Sequence, residues 1–411
     1  MMKRLLCLIL ILFFVSSAIA KEGVLSGLDN LVQSRFKSLD GLSVGLITNP
    51  TAVSRRHVHA IDILHKAPNV ELVALFAPEH GLRGDEEGGR EISSKTDPKT
   101  GLPIFSLYGK NKSPSGEMLE DVDALVFDIQ DIGTRFYTYI STMFLCMDAA
   151  ARENKIFIVL DRPNPINGVI VEGPVLDLEC QSFVGIQQIA LRHGMTVGEL
   201  ALMFNGEEWL ESGKVDLRII EMKNWQRHQV YTETGLPWIK PSPNINTVQS
   251  ALLYPGMGLL EGTNVSEGRG TLQPFEIMGA PWIDAVLLKG EMENRRFTGI
   301  SMDTCSYIPA SIPGVASRPK YEGQVCKGLL FHIKDMEHLN SVEFGVHLLC
   351  AMKQLFPDDF ELREQWLCKL LGSKEITAQL SLGRPADEII AAWQPLLDHF
   401  KKQREKVLLY P

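Results

Sequence analysis

The chain has 411 residues, of which 45% are apolar and 22% charged, and its formal net charge is −9 at pH 7. This length exceeds that of one ordinary domain and the composition is globular, so we expect two domains with substantial cores. The acidic balance, without a basic patch or arm, argues against nucleic acid or an anionic membrane surface as the main partner.

The first twenty residues have the order of a secretory signal peptide. Lys3 and Arg4 precede an apolar block at 5–15, and small residues follow at Ala18 and Ala20. The block is about half the ~20 residues that a membrane-spanning helix requires. We therefore expect cleavage after Ala20, export to the periplasm or the medium, and no stable membrane anchor.

Four short apolar runs in the first half predict buried strands. They lie at residues 42–49, 70–77, 124–131 and 156–163. Near-continuous runs of Val, Ile, Leu and Phe are typical of strands that are covered on both faces. A helical stretch at 60–67 lies between the first two strands, and another at 138–155 lies between the last two. This alternation predicts an α/β fold with a mostly parallel, Rossmann-like sheet.

The composition changes between residues 169 and 290, where Gly, Pro, Asn and Trp become frequent, as in "PSPNINT" and "YPGMGLLEGTNVSEGRGT". Such stretches predict loops that a scaffold positions for binding. Mixed patterning and helices return after residue 295. We therefore predict a Rossmann-like catalytic domain at 21–290, including these active-site loops, and a smaller C-terminal auxiliary α/β domain at 291–411.

Polar residues follow each predicted strand at the point where the strand ends. They are Asn49, Glu79, His80, Asp128, Asp131, Asp161, Arg162 and Asn164. Ligands of open α/β sheets bind at the carboxyl ends of the strands, so these side chains are candidates for one site. For Asn49 and Asn164, a turn-forming role is an equal alternative. Glu79 and His80 fit that alternative less well, because Asn or Ser would turn the chain without a carboxylate or an imidazole.

The sequence gives little support to cofactor chemistry. No G-x-G-x-x-G follows the first strand, so a dinucleotide site is not predicted. The G-x-S-x-G match at 41–45 places Ser43 at the start of a strand rather than on a strand-to-helix elbow. A metal site from His80, Asp128 and Asp131 is conceivable, but no metal-binding spacing accompanies them. We therefore predict neither a cofactor nor a metal.

The cysteines leave two interpretations open. Cys7 lies in the predicted signal peptide, and the others are scattered without a CxxC or a zinc-type spacing. They are either buried free thiols or, in an oxidising compartment, include a disulfide such as Cys305–Cys326.

The remaining candidates predict a site based on carboxylates. Acids in strand-end or glycine-rich settings are Glu79, Asp128, Asp131, Glu172, Glu261 and Glu267. The accompanying aromatic residues and arginines are Tyr108, Tyr137, Tyr139, Trp238, Trp282, Arg83, Arg135 and Arg269. Acids for proton transfer, aromatic faces for pyranose rings and donors for hydroxyl groups favour carbohydrate processing. Solvated charges near turns are the structural alternative.

Motifs along nearly the whole chain resemble one family. They are, in order, "GLITNPTA", "FAPEHGLRG", "LYG", "FDIQDIGTRFYTYISTM", "LDRPNPING", "EGP", "RHGMTVGELA", "PSPNINT", "YPGMGLLEGTNVSEGRGT", "PFE", "GAPW" and "LLY". Together they resemble the NamZ-type exo-β-N-acetylmuramidases. The resemblance implies a glycoside hydrolase that releases N-acetylmuramic acid from the non-reducing ends of peptidoglycan fragments during cell-wall turnover or recycling. It also implies a Rossmann-like domain and a smaller C-terminal domain with the active site in the cleft between them.

The same resemblance makes Glu79, the acid of Pro-Glu-His-Gly, the favoured catalytic carboxylate. We expect it to act as general acid or nucleophile, with His80 orienting it. A second carboxylate is expected among Asp128, Glu267 and Glu172. The sequence gives no separation between carboxylates, so retention, inversion and participation of the substrate's N-acetyl group all stay open. Local departures from the family pattern, Pro50 and the pair Ile245–Asn246, bear on substrate detail more than on the reaction.

The expected substrate is a peptidoglycan-derived saccharide such as MurNAc-GlcNAc. Its lactyl ether carries a carboxylate, which a guanidinium binds bidentately, so Arg135 and Arg269 are candidates for it, with structural ion pairs as the alternative. The predicted substrate-binding residues are Asn49, Arg135, Tyr137, Tyr139, Asn164, Glu172, Glu261, Asn264 and Arg269. The alternative functions are a non-catalytic muropeptide-binding protein and a metal-dependent cell-wall hydrolase or esterase.

Overall fold

The structure of the protein is a computed structural model that describes residues 23–79, 81–82, 95–109 and 111–411. The predicted signal peptide, His80 and Arg83 lie outside these residues. Within them, no helix combines the length and the apolar character that crossing a membrane would need.

Strands and helices alternate through the first half of the described chain. The strands are β1 (Ser43–Thr48), β2 (Glu71–Ala77), β3 (Lys95–Thr96), β4 (Pro103–Ser106), β5 (Ala124–Asp128), β6 (Ile156–Leu160), β7 (Glu172–Val175), β8 (Ala190–Arg192), β9 (Asp216–Ile220), β10 (Ile277–Ala280), β11 (Ile300–Tyr307) and β12 (Cys326–Ile333). The α-helices are α1 (Gly27–Gln33), α2 (Ala60–His65), α3 (Tyr139–Arg152), α4 (Val197–Gly206), α5 (Val248–Met257), α6 (Ala285–Asn294), α7 (Ser341–Leu355), α8 (Glu364–Leu371), α9 (Lys374–Ser381) and α10 (Ala386–Glu405).

The larger sheet of the described residues has the strand order β3-β4-β2-β1-β5-β6-β9. Neighbouring strands are parallel except for the edge pair of β3 with β4. The four apolar runs correspond to β1, β2, β5 and β6, so the predicted mostly parallel α/β fold is confirmed.

Helices cover both faces of this sheet, which explains why its central strands are continuously apolar. In β5, Leu125 and Phe127 face one core, which also contains residues of α3 and α4. Val126 points the other way, into a core with Leu28 of α1 and Ile61 of α2. Successive residues of a strand point to opposite faces, so both faces need apolar side chains.

A smaller antiparallel sheet, ordered β10-β12-β11, forms in the second half of the chain. Its residue Phe331 belongs to the same continuous core as Phe127 of the larger sheet. Strand β10 precedes residue 290 but pairs with β12, which follows it. The domain boundary near residue 290 stays a prediction.

Helices α5 and α7 cross at two glycines. A Cβ added to Gly345 would come within 2.7 Å of the Cα of Gly256, and a Cβ added to Gly256 would meet the carbonyl oxygen of Ser341. Only residues without a side chain allow the two backbones to approach this closely. Helix α7 also packs on α6. The crossing therefore joins α5, which precedes the small sheet in sequence, to the helices α6 and α7.

One disulfide joins Cys180 to Cys368, 188 positions apart in sequence. Cys305 and Cys326, the pair considered from the sequence, lie on the neighbouring strands β11 and β12 and are free thiols. The bond ties the short segment before Phe183 to helix α8.

Candidate active site

A cavity of about 520 Å³ opens beside the carboxyl end of β2. One wall comes from residues that follow strands of the large sheet, including Glu79 after β2 and the segment 136–139 that leads into α3. The other wall comes from the second half of the chain, namely the loop residues 261–275, the β11–β12 connection and Trp366 of α8. The cavity therefore lies where the two halves of the chain face each other.

Glu79 is half-buried in the first wall and accepts hydrogen bonds from hydroxyl groups. Thr138 Oγ1 lies 3.3 Å from Glu79 Oε2, and the Tyr108 hydroxyl also bonds this carboxylate. Burial, and then the negative charge of Glu79, raises the pKa of Tyr108 to about 12, so its hydroxyl keeps the proton that it donates. The two hydroxyls donate to the Glu79 carboxylate and so orient it toward the cavity.

The opposite wall holds two further acids in an ion-pair cluster. Arg269 places Nη2 3.4 Å from Glu261 Oε1 and Nε 3.3 Å from Glu267 Oε1. Lys320 Nζ lies 3.0 Å from Glu267 Oε2 and also donates to the carbonyl oxygens of Leu260 and Val265, each at 2.9 Å. Glu267 is thus held between two cations, whereas Glu261 has Arg269 as its cationic neighbour.

Glu261 and Glu267 differ in access to the cavity. The Glu261 side chain is 23% exposed and that of Glu267 only 6%. Burial raises the pKa of Glu261 although Arg269 opposes the shift. For Arg269, burial would lower the pKa, but Glu261 and Glu267 together raise it above its usual value. Glu261 is therefore the accessible acid of this wall with a tendency to hold a proton.

Aromatic rings form the floor between the two walls. Tyr137 meets Tyr139 edge to face at 5.0 Å between centroids, and Tyr254 meets Phe275 in the same way at 4.7 Å. The Tyr254 hydroxyl bonds Glu261, and burial foremost, then Glu261 and more weakly Glu79, raise the pKa of Tyr254. The negative charges of acids on both walls therefore contribute to the raised pKa of Tyr254.

Asp128 and Glu172, predicted as second carboxylates, are not among the residues that line the cavity. Asp128 is fully buried and paired with Arg162 through bonds of 2.5 and 3.0 Å. Glu172 accepts from Arg192 Nη1 at 3.0 Å and from the backbone N–H of Val342 at 2.7 Å. Each carboxylate has its oxygens occupied by buried donors, so the structure gives both a packing role rather than a substrate contact.

Arg135 also lies away from the cavity. Its guanidinium donates to the carbonyl oxygens of Pro174 at 2.7 Å, Ile189 at 2.9 Å and Leu370 at 3.0 Å. Burial without a carboxylate partner lowers the pKa of Arg135 to about 9. This side chain links three segments of backbone instead of presenting a fork to a ligand.

The three predicted asparagines hold segments of backbone in place. Asn49 accepts from Thr51 N and Oγ1 and also bonds Tyr139, behind the cavity floor. Asn164 accepts from Ile166 N at 3.1 Å and donates to Met195 O at 3.0 Å. Asn264 donates to Asp359 O at 2.7 Å and accepts from Glu361 N at 3.0 Å. None of the three is a cavity-lining residue in the described chain.

Six predicted site residues do line the cavity: Glu79, Tyr137, Tyr139, Glu261, Glu267 and Arg269. Lining residues that were not on the predicted list include Tyr108, Thr138, Ser242, Asn244, Tyr254, Arg318, Lys320 and Trp366. Tyr108 belonged to the aromatic inventory, but the segment of Arg318 and Lys320 carries no motif that would have marked it. In the part of the chain that the structure describes, no group of three or more His, Cys, Asp or Glu side chains could hold a metal ion.

Comparison with known proteins gives a consistent result over the length of the chain. The family models for the N-terminal and C-terminal parts of exo-beta-N-acetylmuramidase NamZ match residues 44–249 and 252–410. The peptidoglycan beta-N-acetylmuramidase NamZ of Bacillus subtilis (strain 168) is 43% identical over 391 residues, which are 95% of this chain and 92% of that protein.

Two crystal structures of DUF1343 family proteins from Bacteroides fragilis NCTC 9343 are similar in fold. One superposes with a TM-score of 0.87 at 40% identity and the other with 0.75 at 36% identity. Each comparison covers 94% of this chain and 99% of the other. The chain belongs to the exo-β-N-acetylmuramidase NamZ family of glycosidases.

Proposed function

We propose that this protein is an exo-acting β-N-acetylmuramidase that releases N-acetylmuramic acid from the non-reducing ends of peptidoglycan fragments, in cell-wall turnover or recycling. The observation that carries the proposal is the position of Glu79, oriented by two hydroxyls and facing a cavity whose other wall carries Glu261 and Glu267. Two carboxylates that flank the scissile bond are the usual arrangement in glycoside hydrolases. Membership of the NamZ family supports the substrate class.

The two acids have environments that suit different roles. Glu79, bonded by Tyr108 and Thr138, is the base or nucleophile at the anomeric carbon. Glu261, whose pKa burial raises, is the general acid that gives its proton to the oxygen of the leaving sugar. Glu267 forms ion pairs with Arg269 and Lys320 and so neutralises part of the positive charge of this wall. Water bonds to the anomeric carbon and gives its proton to a carboxylate. An inverted product indicates direct attack by water, whereas a retained product indicates an intermediate formed with Glu79 or with the substrate's own N-acetyl group.

We also propose that the protein acts after export. The residue order of segment 1–20 supports this, as does the disulfide Cys180–Cys368, because structural disulfides persist in oxidising compartments. The intact mass of the exported protein tests this proposal.

The activity is tested by product analysis on the disaccharide MurNAc-β-1,4-GlcNAc. Wild type should release free N-acetylmuramic acid, and Glu79→Gln should be slower by about 10²–10⁴-fold, the usual contribution of a positioned acid or base. Glu71→Gln is the matched control, because Glu71 is exposed at the opposite end of the same strand, and it should keep wild-type activity.

The remaining outcomes separate the alternatives. Undiminished activity of Glu79→Gln would move the chemistry to another acid. Loss of wild-type activity with a chelator would favour a metal-dependent hydrolase. Binding of the disaccharide without any release of sugar would favour a non-catalytic muropeptide-binding protein.

A further inference from the structure

The β11–β12 connection forms part of the cavity wall and is fixed from several sides. Val315 accepts a 2.9 Å hydrogen bond from Asn244 Nδ2 through its carbonyl oxygen, and the N–H of Ala310 donates to Gly270 O at 3.0 Å. Near its other end, Lys320 is anchored by Glu267 and by two carbonyl oxygens. The residues between these anchors, 315–320, all line the cavity.

Arg318 lies in this segment and differs from the other described cations of the cavity. Arg269 and Lys320 are both neutralised by carboxylates of the wall. Arg318 is exposed, and no carboxylate of the described residues forms an ion pair with it. The site therefore presents one guanidinium whose charge is available to a ligand.

The backbone conformation of Arg318 is typical of a residue that is held in position for a function. Its φ of 48° lies in the left-handed region, which residues other than Gly adopt infrequently. The N–H of Arg318 is held by Ser311 Oγ at 3.0 Å. Such conformations persist where the surrounding structure enforces them, and they concentrate at ligand-binding sites.

We infer that Arg318 binds the carboxylate of the D-lactyl group of N-acetylmuramic acid and so selects this sugar over N-acetylglucosamine. The inference rests on the proposed function. The lactyl carboxylate is the group by which the two sugars differ, and a guanidinium binds a carboxylate through two parallel N–H···O bonds. The guanidinium of Arg135 is enclosed by carbonyl oxygens, and that of Arg269 is already paired with two acids. Among the described arginines considered for this role, Arg318 is therefore the one that can bind the lactyl carboxylate.

The test compares 4-nitrophenyl β-N-acetylmuraminide with its lactyl methyl ester, which keeps the shape and removes the charge. Wild type should prefer the free acid, and Arg318→Gln should lower kcat/KM for the acid by about 10- to 100-fold, the size expected for a hydrogen bond to a charged group. The same variant should leave the ester almost unchanged. Arg318→Lys, which keeps the charge without the fork, should retain part of the preference.

Two further variants control for folding. Arg318→Gly removes the side chain and adopts positive φ without strain, and it should reproduce the effect of Arg318→Gln. Arg296→Gln changes another exposed arginine with positive φ (57°) that is not a lining residue of the cavity, and it should behave as wild type. A preference for the acid that survives both Arg318→Gln and Arg318→Gly, or an equal loss on acid and ester, would overturn the inference. Wild type that hydrolyses neither glycoside would instead refute the proposed function, and the inference with it.

Discussion

Replacing Asp128 by Asn should cost stability and leave the chemistry intact. Asp128 and Arg162 are 0% and 2% exposed and share two hydrogen bonds. Burial alone would lower the pKa of Arg162, but Asp128 raises it above its usual value, so the guanidinium stays charged. Asp128→Asn leaves this charge buried without a counter-charge. Breaking such a pair from one side costs about 3–5 kcal/mol.

The expected change in melting temperature follows from chain length. With an unfolding entropy of about 2.1 cal/mol/K per residue, the roughly 375 residues that the structure describes correspond to about 0.8 kcal/mol/K, so the loss corresponds to a Tm lower by about 4–6 °C. Thermal unfolding measures this shift, and kcat on the disaccharide at 25 °C should stay close to the wild-type value. Asp121→Asn, an exposed neighbour in sequence, is the control and should change neither quantity.

A double variant sharpens the experiment. Asp128→Asn combined with Arg162→Met removes both charges and should recover part of the lost stability, because the uncompensated charge is the main cost. An unchanged Tm together with a large loss of kcat in Asp128→Asn would refute this reasoning and return Asp128 to the reaction.

Two other predictions concern the proton donor and the exported form. Since burial raises the pKa of Glu261, the acid form persists to higher pH, and kcat/KM should fall as pH rises through that pKa. Glu261→Gln should lower kcat/KM on the disaccharide by about 10²–10⁴-fold but much less on a 4-nitrophenyl glycoside, whose leaving group needs no proton; equal losses would contradict the acid role. Intact mass of the exported protein should correspond to a chain that starts at Lys21 with Cys180 bonded to Cys368, and a retained N-terminus or two further thiols would contradict export or the bond.

The fold was predictable where burial is complete on both faces of the sheet. Strands β1, β2, β5 and β6 are apolar along most of their length because helices cover both sides. Strand β9 lies at the sheet edge and mixes exposed with half-buried positions, and β3 has only two residues. Edge strands keep few apolar side chains, so neither had a sequence signal of comparable strength.

The site was predictable only in part, for a comparable reason. Glu79 and Asp128 give the same pattern in sequence, an acid at the end of an apolar run. What separates them is Arg162, which follows the neighbouring strand β6 and forms an ion pair with Asp128. A single sequence does not show which charges meet. Arg318 and Lys320 reach the cavity because the β11–β12 connection extends to it, and that depends on tertiary contacts distant in sequence.

The glycine crossing of α5 and α7 bears on how the cavity receives a sugar. Helix α5 runs into the residues of Glu261, and α7 packs beside the small sheet from which the Arg318 segment extends. Backbones that touch at Gly256 and Gly345 have no intervening side chain that could change rotamer and let the helices slide. The separation of α5 and α7 is therefore set by main chain rather than by adjustable side chains. We therefore expect the wall that carries Glu261 to keep its position when a glycan end enters the cavity.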